Sequence, residues 1–475
     1  MCAPCHARRM KLTADFVPNL PFEDQYLVQN ISSDYYHLDG QILEEDYVYG
    51  SFLQSKMHAQ GIRCSDCHNP HSLELKFEGN KLCLQCHVPA EYDSKKHHFH
   101  EVASEGGLCV NCHMTGRYYM GNDFRRDHSF RIPRPDQSVA HGTPNACNEC
   151  HDDQSEKWAS DWVVKWYGPQ RAPHFSDYLL LSHMEETNAA DQEKLVKFIN
   201  DLNYPAIART TVMNNLRFGG RAEVQAVLES LEDSTATVRY HGLMQFRGID
   251  LQDRQSIAIE HLRDPSRLVR IGAAQLLTDF DGSGWNESDR LALGNAKQEL
   301  EDMLYGNADF SSGRLQLGDY FMQTGDLNSA IKHYEVALKK DSLLLLVYSN
   351  LATAYSLNSM PDRALETLNT WIEFDPDAGR PYYLRGLLNF ELGNAEIAVE
   401  DLQMAVELNP NDGRAMYNLA TYYYQNTRHA EAEKYIRRAL SLEPANRDFQ
   451  YLLALILKEQ GKNEASRRIM QQLNS

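Results

Sequence analysis

Cys64-Ser65-Asp66-Cys67-His68 decides how the first third of this chain is built. The same C-x-x-C-H pattern recurs at Cys2/Cys5/His6, Cys83/Cys86/His87, Cys109/Cys112/His113 and Cys147/Cys150/His151. Two thiols three residues apart can each form a thioether to one edge of a porphyrin, and a His directly after the second reaches the iron. Two other readings of C-x-x-C fit less well. A zinc ribbon does not require His after every second Cys, and a redox dithiol does not come in five copies. The chain has ten Cys, and the five motifs use all of them, so no thiol is left for a structural disulfide. The pattern predicts five covalently held c-type haems, with His6, His68, His87, His113 and His151 as proximal iron ligands.

Histidine is concentrated in the same region. Eight further His lie there, namely His37, His58, His71, His97, His98, His100, His128 and His141, and only six of the 19 His in the chain lie beyond residue 151. Sixth-position iron ligands would produce this enrichment, although any single one of the eight also reads as a surface or hydrogen-bonding His. The distal candidates are His37, His58, His71, His98, His100 and His128. His71 is too close to its own motif to cross the ring plane, so it is read as a ligand to a neighbouring haem, as is His58. His98 and His100 alternate sides if His97-His98-Phe99-His100 is extended. Asp127 or a backbone carbonyl is placed to orient His128. After the last motif, Trp158, Trp162 and Trp166 share one helix face. That face reads either as a lid over the last haem or as ordinary packing between domains.

A chain of 475 residues that is 42% hydrophobic has room for several domains. Residues 1–170 are rich in His, Pro, Gly and Tyr and poor in long helical periodicity, which suits a loop-rich domain whose buried apolar surface is largely porphyrin. The formal net charge of -19 argues against nucleic acid and anionic membrane surfaces and favours a basic redox partner. No run of about 18 apolar residues is present, so no transmembrane segment is expected. Covalent haem attachment takes place outside the cytoplasm, yet Cys2 follows Met1 with no export signal before it. The expectation is a periplasmic or otherwise extracytoplasmic protein of which this chain is the C-terminal part.

Beyond residue 170 the pattern becomes helical. Leu202-Asn203-Tyr204-Pro205 precedes Ala208-Arg209, Leu231-Glu232-Asp233-Ser234 precedes Val238-Arg239, and Leu262-Arg263-Asp264-Pro265 precedes Val269-Arg270. Residues 171–285 therefore read as short HEAT-like helix pairs, or else as an irregular helical linker domain. Asp281-Gly282-Ser283-Gly284 reads as a hinge, and 286–310 as a charged linker helix. In 311–475 the period is plain. Ala330, Ala364, Ala398 and Ala432 are 34 residues apart, as are Gly318, Ala352, Gly386, Ala420 and Ala454, and Pro376, Pro410 and Pro444. This is the tetratricopeptide period, with four repeats and a terminal helix pair. The array binds a partner or assembles the protein. Tyr417, Tyr422, Tyr423 and Tyr424 are assigned to its concave face or its core, and His333 and His429 to its surface.

Several stretches carry a resemblance. They are Tyr49-Gly50-Ser51-Phe52-Leu53-Gln54-Ser55-Lys56-Met57, Arg63-Cys64 through Ser72, Cys109 through Met114, Arg126-Asp127-His128-Ser129-Phe130-Arg131-Ile132-Pro133-Arg134-Pro135 and Thr143-Pro144-Asn145-Ala146-Cys147. The chain resembles the bacterial multihaem c-type cytochromes of the cytochrome c-552/4 and doubled-CxxCH type with C-terminal tetratricopeptide repeats. The resemblance implies a mainly α fold, a loop-rich multihaem domain followed by HEAT-like and tetratricopeptide solenoids, and haem c as cofactor. It says little about the reaction. An electron carrier with bis-His haems is one expectation. The alternative is a multihaem oxidoreductase of nitrite, hydroxylamine or sulfur-oxyanion type with one open-site haem. A scaffold whose repeats matter most is a third.

Overall fold

The computed structural model describes residues 2–45, 47–217 and 219–473. They form two compact units, 1–306 and 307–475. The protein is mainly helical, as expected. Its only sheets among the described residues are two antiparallel two-stranded ribbons, Arg9–Lys11 with Tyr26–Val28 and Gly116–Tyr119 with Asp123–Arg126.

In the first unit, residues up to about 155 are loops, the two ribbons and helices of at most seven residues, and the long helices begin at Glu156–Tyr167. The loop-rich part is not free-standing. The Ile31 backbone N–H donates to Thr211 Oγ1 at 3.2 Å, the Arg267 N–H donates to Asp24 Oδ1 at 2.8 Å, and Arg134 pairs with Asp177 at 2.8 Å. These bonds join it to the helices that follow.

Those helices stack in pairs. Ala206–Asn215, Ala236–Met244, Arg267–Leu276 and Glu287–Gly306 pack successively as an inner row. They are nearly all apolar where they touch: Ala208, Val212, Val238, Leu243, Val269, Ile271 and Ala274 are fully buried. The aligned arginines have a common role. Arg209 pairs with Asp233, Arg239 with Asp264 and Arg270 with Glu299, at 2.6–2.8 Å. Each guanidinium therefore reaches a carboxylate of the following pair, which fixes the step from one pair to the next. Glu287–Gly306 does not stand apart as a linker. It buries Ala292, Leu293, Ala296 and Leu300 against the preceding row.

The second unit consists of five helix pairs, from Ser311–Thr324 with Leu327–Lys340 to Arg447–Glu459 with Asn463–Leu473. The alanines at the 34-residue step are all buried where the helices of a pair cross. At Gly318 the approach is closer still, because an added Cβ would overlap the ring of Tyr334. That ring is fully buried, and its hydroxyl donates to Asp319 Oδ1 at 2.7 Å, so it cannot swing away. Gly318→Ala gains up to about 1 kcal/mol in helix propensity but overpacks a fixed ring at about 1–3 kcal/mol. A net destabilisation is expected, read as a lower urea midpoint for the helical signal.

Two side-chain assignments in this unit are corrected. His333 is buried, not on the surface. It stacks on Phe321 and lies 3.2 Å from an Arg314 guanidinium nitrogen, and burial lowers its pKa. His429 is half-buried against Tyr424. The tyrosines belong to the core: Tyr423 is buried, Tyr417 stacks on Phe449 and Tyr422 packs on Phe390.

Candidate haem sites

Each motif is one turn of helix or a tight helical turn. The His N–H donates to the carbonyl of the first Cys at 2.9–3.1 Å in His6, His68, His87 and His151, and Cys109–His113 forms a complete one-turn helix. Positions i, i+3 and i+4 share one helix face, so the turn presents both sulfurs and the imidazole together. None of the ten thiols forms a disulfide; seven are half-buried and three exposed. Among the described residues no three metal-donor side chains converge, so the thiols are not grouped as a zinc site.

The sites follow one another in space in chain order. The Cys2 and Cys64 thiols are neighbours, and so are those of Cys83 and Cys109. A charge on Cys86 is felt at Cys67, and charges on Cys147 and Cys150 are felt at Cys112. Burial, reinforced by these neighbouring thiols, pushes Cys112 up to about 11.

Cys5 is the motif thiol that this row does not take in. It is exposed, as are Cys86 and Cys150, the second thiols of two other motifs. Those two lie beside the thiols of a neighbouring site, whereas it is Cys2, and not Cys5, that joins the first motif to the Cys64 site. Cys5 lies on the short helix Ala3–His6, one turn beyond Cys2, with its N–H bonded to the Cys2 carbonyl at 3.0 Å.

Three motif His rings face a second His ring. His68 and His128 have ring centres 6.4 Å apart, His113 and His97 6.1 Å, and His151 and His100 6.3 Å, with interplanar angles of 27°, 17° and 31°. A metal bound by two imidazole nitrogens at about 2 Å each sets the ring centres about 6 Å apart. In three of the six rings Nδ1 is held by a backbone carbonyl. His113 Nδ1 donates to the Arg131 carbonyl at 2.6 Å, His128 Nδ1 to the Arg126 carbonyl at 2.9 Å and His100 Nδ1 to the His98 carbonyl at 2.5 Å. A carbonyl on Nδ1 leaves Nε2 for the metal and fixes the ring. Burial lowers the pKa of His97, His113 and His128, which keeps these rings in the neutral, ligating form. The residues fit haem c.

The distal assignments change in detail. His100 and His128 stand opposite motif His. His97 does too, although it was not among the six candidates. The stretch 97–100 is not extended: Lys95–His98 is a helical turn, and Phe99 ends it in the left-handed region at φ 57°. The rings of His97 and His100 are thereby sent to different sites. His98 faces no motif His. Its Nε2 is buried without a hydrogen-bond partner. His37 and His58 are half-buried, with pKa values lowered by burial, and face no motif His. His71 is exposed. It is a carbonyl, and not Asp127, that orients His128; the Asp127 carboxylate accepts from the backbone of Ser129 and Ile42.

The tryptophan face borders the last site. Trp158 lies 4.9 Å from His151, Trp162 links it to Trp166, and Trp166 stacks on Phe99 at 4.6 Å and 2° beside His100. Tyr167 donates to the His97 carbonyl. Sequence reasoning missed His97 because its neighbours His98 and His100 carry the same local signal.

A doubled CXXCH motif is matched at residues 57–92, and tetratricopeptide repeats at 383–444 and 417–473. Similar curated proteins include the Hsp70-Hsp90 organizing protein of Triticum aestivum, 26% identical over 185 residues, which are 38% of this chain and 28% of that protein. Hsp70-Hsp90 organizing protein 2 of Arabidopsis thaliana is 28% identical over 154 residues, 32% of this chain and 23% of that one. The chain thus spans less than a third of the length of these relatives. Among solved structures, MamA is similar at 23% identity over 34% of this chain and 89% of its own, with a TM-score of 0.31. YrrB, a TPR protein with an unusual peptide-binding site, is similar at 19% over 36% and 89%, with a TM-score of 0.30. The chain is a mainly helical protein that carries the doubled CxxCH signature of multihaem c-type cytochromes together with C-terminal tetratricopeptide repeats. The first implies haem c binding and the second protein–protein interaction.

Proposed function

We propose that this protein is an electron-transfer cytochrome that works outside the cytoplasm. In this reading five haems c are attached through the ten Cys and lie in a row in chain order. The observation that carries the reading is the 6.1–6.4 Å spacing of three His pairs, His68/His128, His113/His97 and His151/His100. Two axial imidazoles leave an iron without an open position, so such a site passes electrons and does not bind substrate. The row of thiols running from Cys2 to Cys150 supports a path along the chain. The repeats dock a redox partner. The net charge of -19 favours a basic one, whose binding weakens as salt rises.

A second reading has its own support. Among the described residues no His ring faces His6 or His87; His87 has Tyr92 edge-on at 5.3 Å. An open position at either iron would suit an oxidoreductase acting on nitrite, hydroxylamine or a sulfur oxyanion.

Both readings are tested on protein matured with haem-attachment machinery. Mass spectrometry should show five haem additions, and paramagnetic resonance of the oxidised protein should be dominated by low-spin iron. An apo mass with bound zinc, or a mainly high-spin spectrum, would overturn the carrier reading. Carbon monoxide taken up by one or two irons of the reduced protein, with turnover of one of the named substrates, would favour the enzyme.

A further inference from the structure

The loop 126–131 serves two sites at once. Its His128 ring faces His68, the motif ligand of the Cys64 site. Its Arg131 carbonyl accepts from Nδ1 of His113, the motif ligand of the Cys109 site, and the Arg131 N–H donates back to the His113 carbonyl at 3.0 Å. The loop is anchored by Arg126. One guanidinium nitrogen donates to the carbonyls of Val110 and Met114 at 3.2 and 2.9 Å, and another to Asn111 Oδ1 at 2.9 Å. These acceptors belong to the turn that carries Cys109, Cys112 and His113. The carbonyl of the same Arg126 holds His128 Nδ1. The Asp127 N–H closes the junction on the Thr115 carbonyl at 2.8 Å.

We propose that Arg126 is a positioning residue that couples two irons, the one between His68 and His128 and the one between His113 and His97. The proposal rests on the haem reading above and names the residue that ties two of its sites together. A hydrogen bond from Nδ1 to a carbonyl fixes the rotation of an imidazole and raises its basicity, and both act on the ligand field and the reduction potential. The Arg126 side chain sets the turn that holds His113, and its main chain sets the bond to His128. A side-chain substitution leaves that carbonyl in place but releases the loop from the turn at 109–114, so through the loop it acts on both.

The test uses the full haem-loaded chain with Arg126→Gln and Arg126→Lys. His128→Ala and His97→Ala mark which resonance signals and which steps of a redox titration belong to the two haems. Arg126→Gln should move the signals and the potentials of both marked haems and leave the other three in place. Arg126→Lys keeps the charge but cannot span three acceptors with one fork, so it should move both by less. If Arg126→Gln fails to take up haem, Arg126→Lys carries the same comparison. A change confined to one haem, spread over all five, or absent in both variants overturns the coupling. Haem count by mass is read on the same samples. Fewer than five haems in the unsubstituted chain counts against the haem reading, whereas five haems with only one responding site counts against Arg126 alone.

Discussion

On the haem reading proposed above, His128→Ala should turn one iron from low-spin to high-spin and leave the others unchanged. His128 stands 6.4 Å, centre to centre, from His68, and no other His ring faces His68 among the described residues. Its own Nδ1 is bound to the Arg126 carbonyl, so only Nε2 is free for the iron. Ala removes that nitrogen and leaves a gap beside Phe130, which packs edge-on against the His128 ring. Of the pair, only His68 would then remain to hold the iron, which would have an open position. His97→Ala should do the same at the His113 site, whereas His71→Ala, at an exposed ring, should change nothing. Paramagnetic resonance of the oxidised protein is the measurement, with carbon monoxide binding to the reduced protein as a count of opened sites. A low-spin spectrum unchanged by His128→Ala would remove His128 from the ligand set. A new high-spin signal in His71→Ala would restore His71 to it.

Asp233→Ala should be strongly damaging to the helical stack. Asp233 and Arg209 have side chains only 4% and 3% exposed, and their contact is 2.7 Å. Burial alone would raise the Asp233 pKa, but the bonds from Arg209 and the Thr235 N–H outweigh it and hold the carboxyl below its ordinary value. Without the carboxylate, Arg209 keeps one carbonyl bond, to Ile199, and a buried charge with no counter-ion. Removing one partner of a buried pair costs about 3–5 kcal/mol. The expected result is a lower urea midpoint for the first unit with little change in slope. The pH dependence follows from the sign of the shift. A carboxyl whose folded pKa is lowered adds stability above its unfolded value, near 4, and that stability is lost as pH falls through the folded value. The unsubstituted protein should therefore lose stability in acid more steeply than Asp233→Asn. Equal acid profiles, or a loss below about 1 kcal/mol in Asp233→Ala, would show that the pair contributes little.

What could be read from the residue string is what is local. C-x-x-C-H sets two thiols and an imidazole on one helical turn without help from the rest of the chain, and the motif His need no tertiary information to be named. The 34-residue period is local in the same sense. Each small residue marks a crossing within one helix pair, so fold class and repeat count follow from spacing. The arginines at 209, 239 and 270 were visible as a repeat, but their partners Asp233, Asp264 and Glu299 were not, because each bond spans 24–29 residues.

Which His ring faces which motif His was decided by tertiary structure. His68 and His128 are far apart in sequence, and nothing in the residues around His128 states which motif it will face. Within His97-His98-Phe99-His100 the choice turns on one backbone angle. An extended run would have paired His98 and His100 on opposite sides, but the left-handed Phe99, held flat against Trp166, turns the chain so that His97 and His100 reach two different sites. The tryptophan that enforces this lies well downstream, in a helix whose pattern alone fitted a lid or plain packing equally well. The physical reason is range: a helical turn or a repeat step is specified by neighbours in sequence, whereas ligand pairing depends on distant segments meeting around a shared centre.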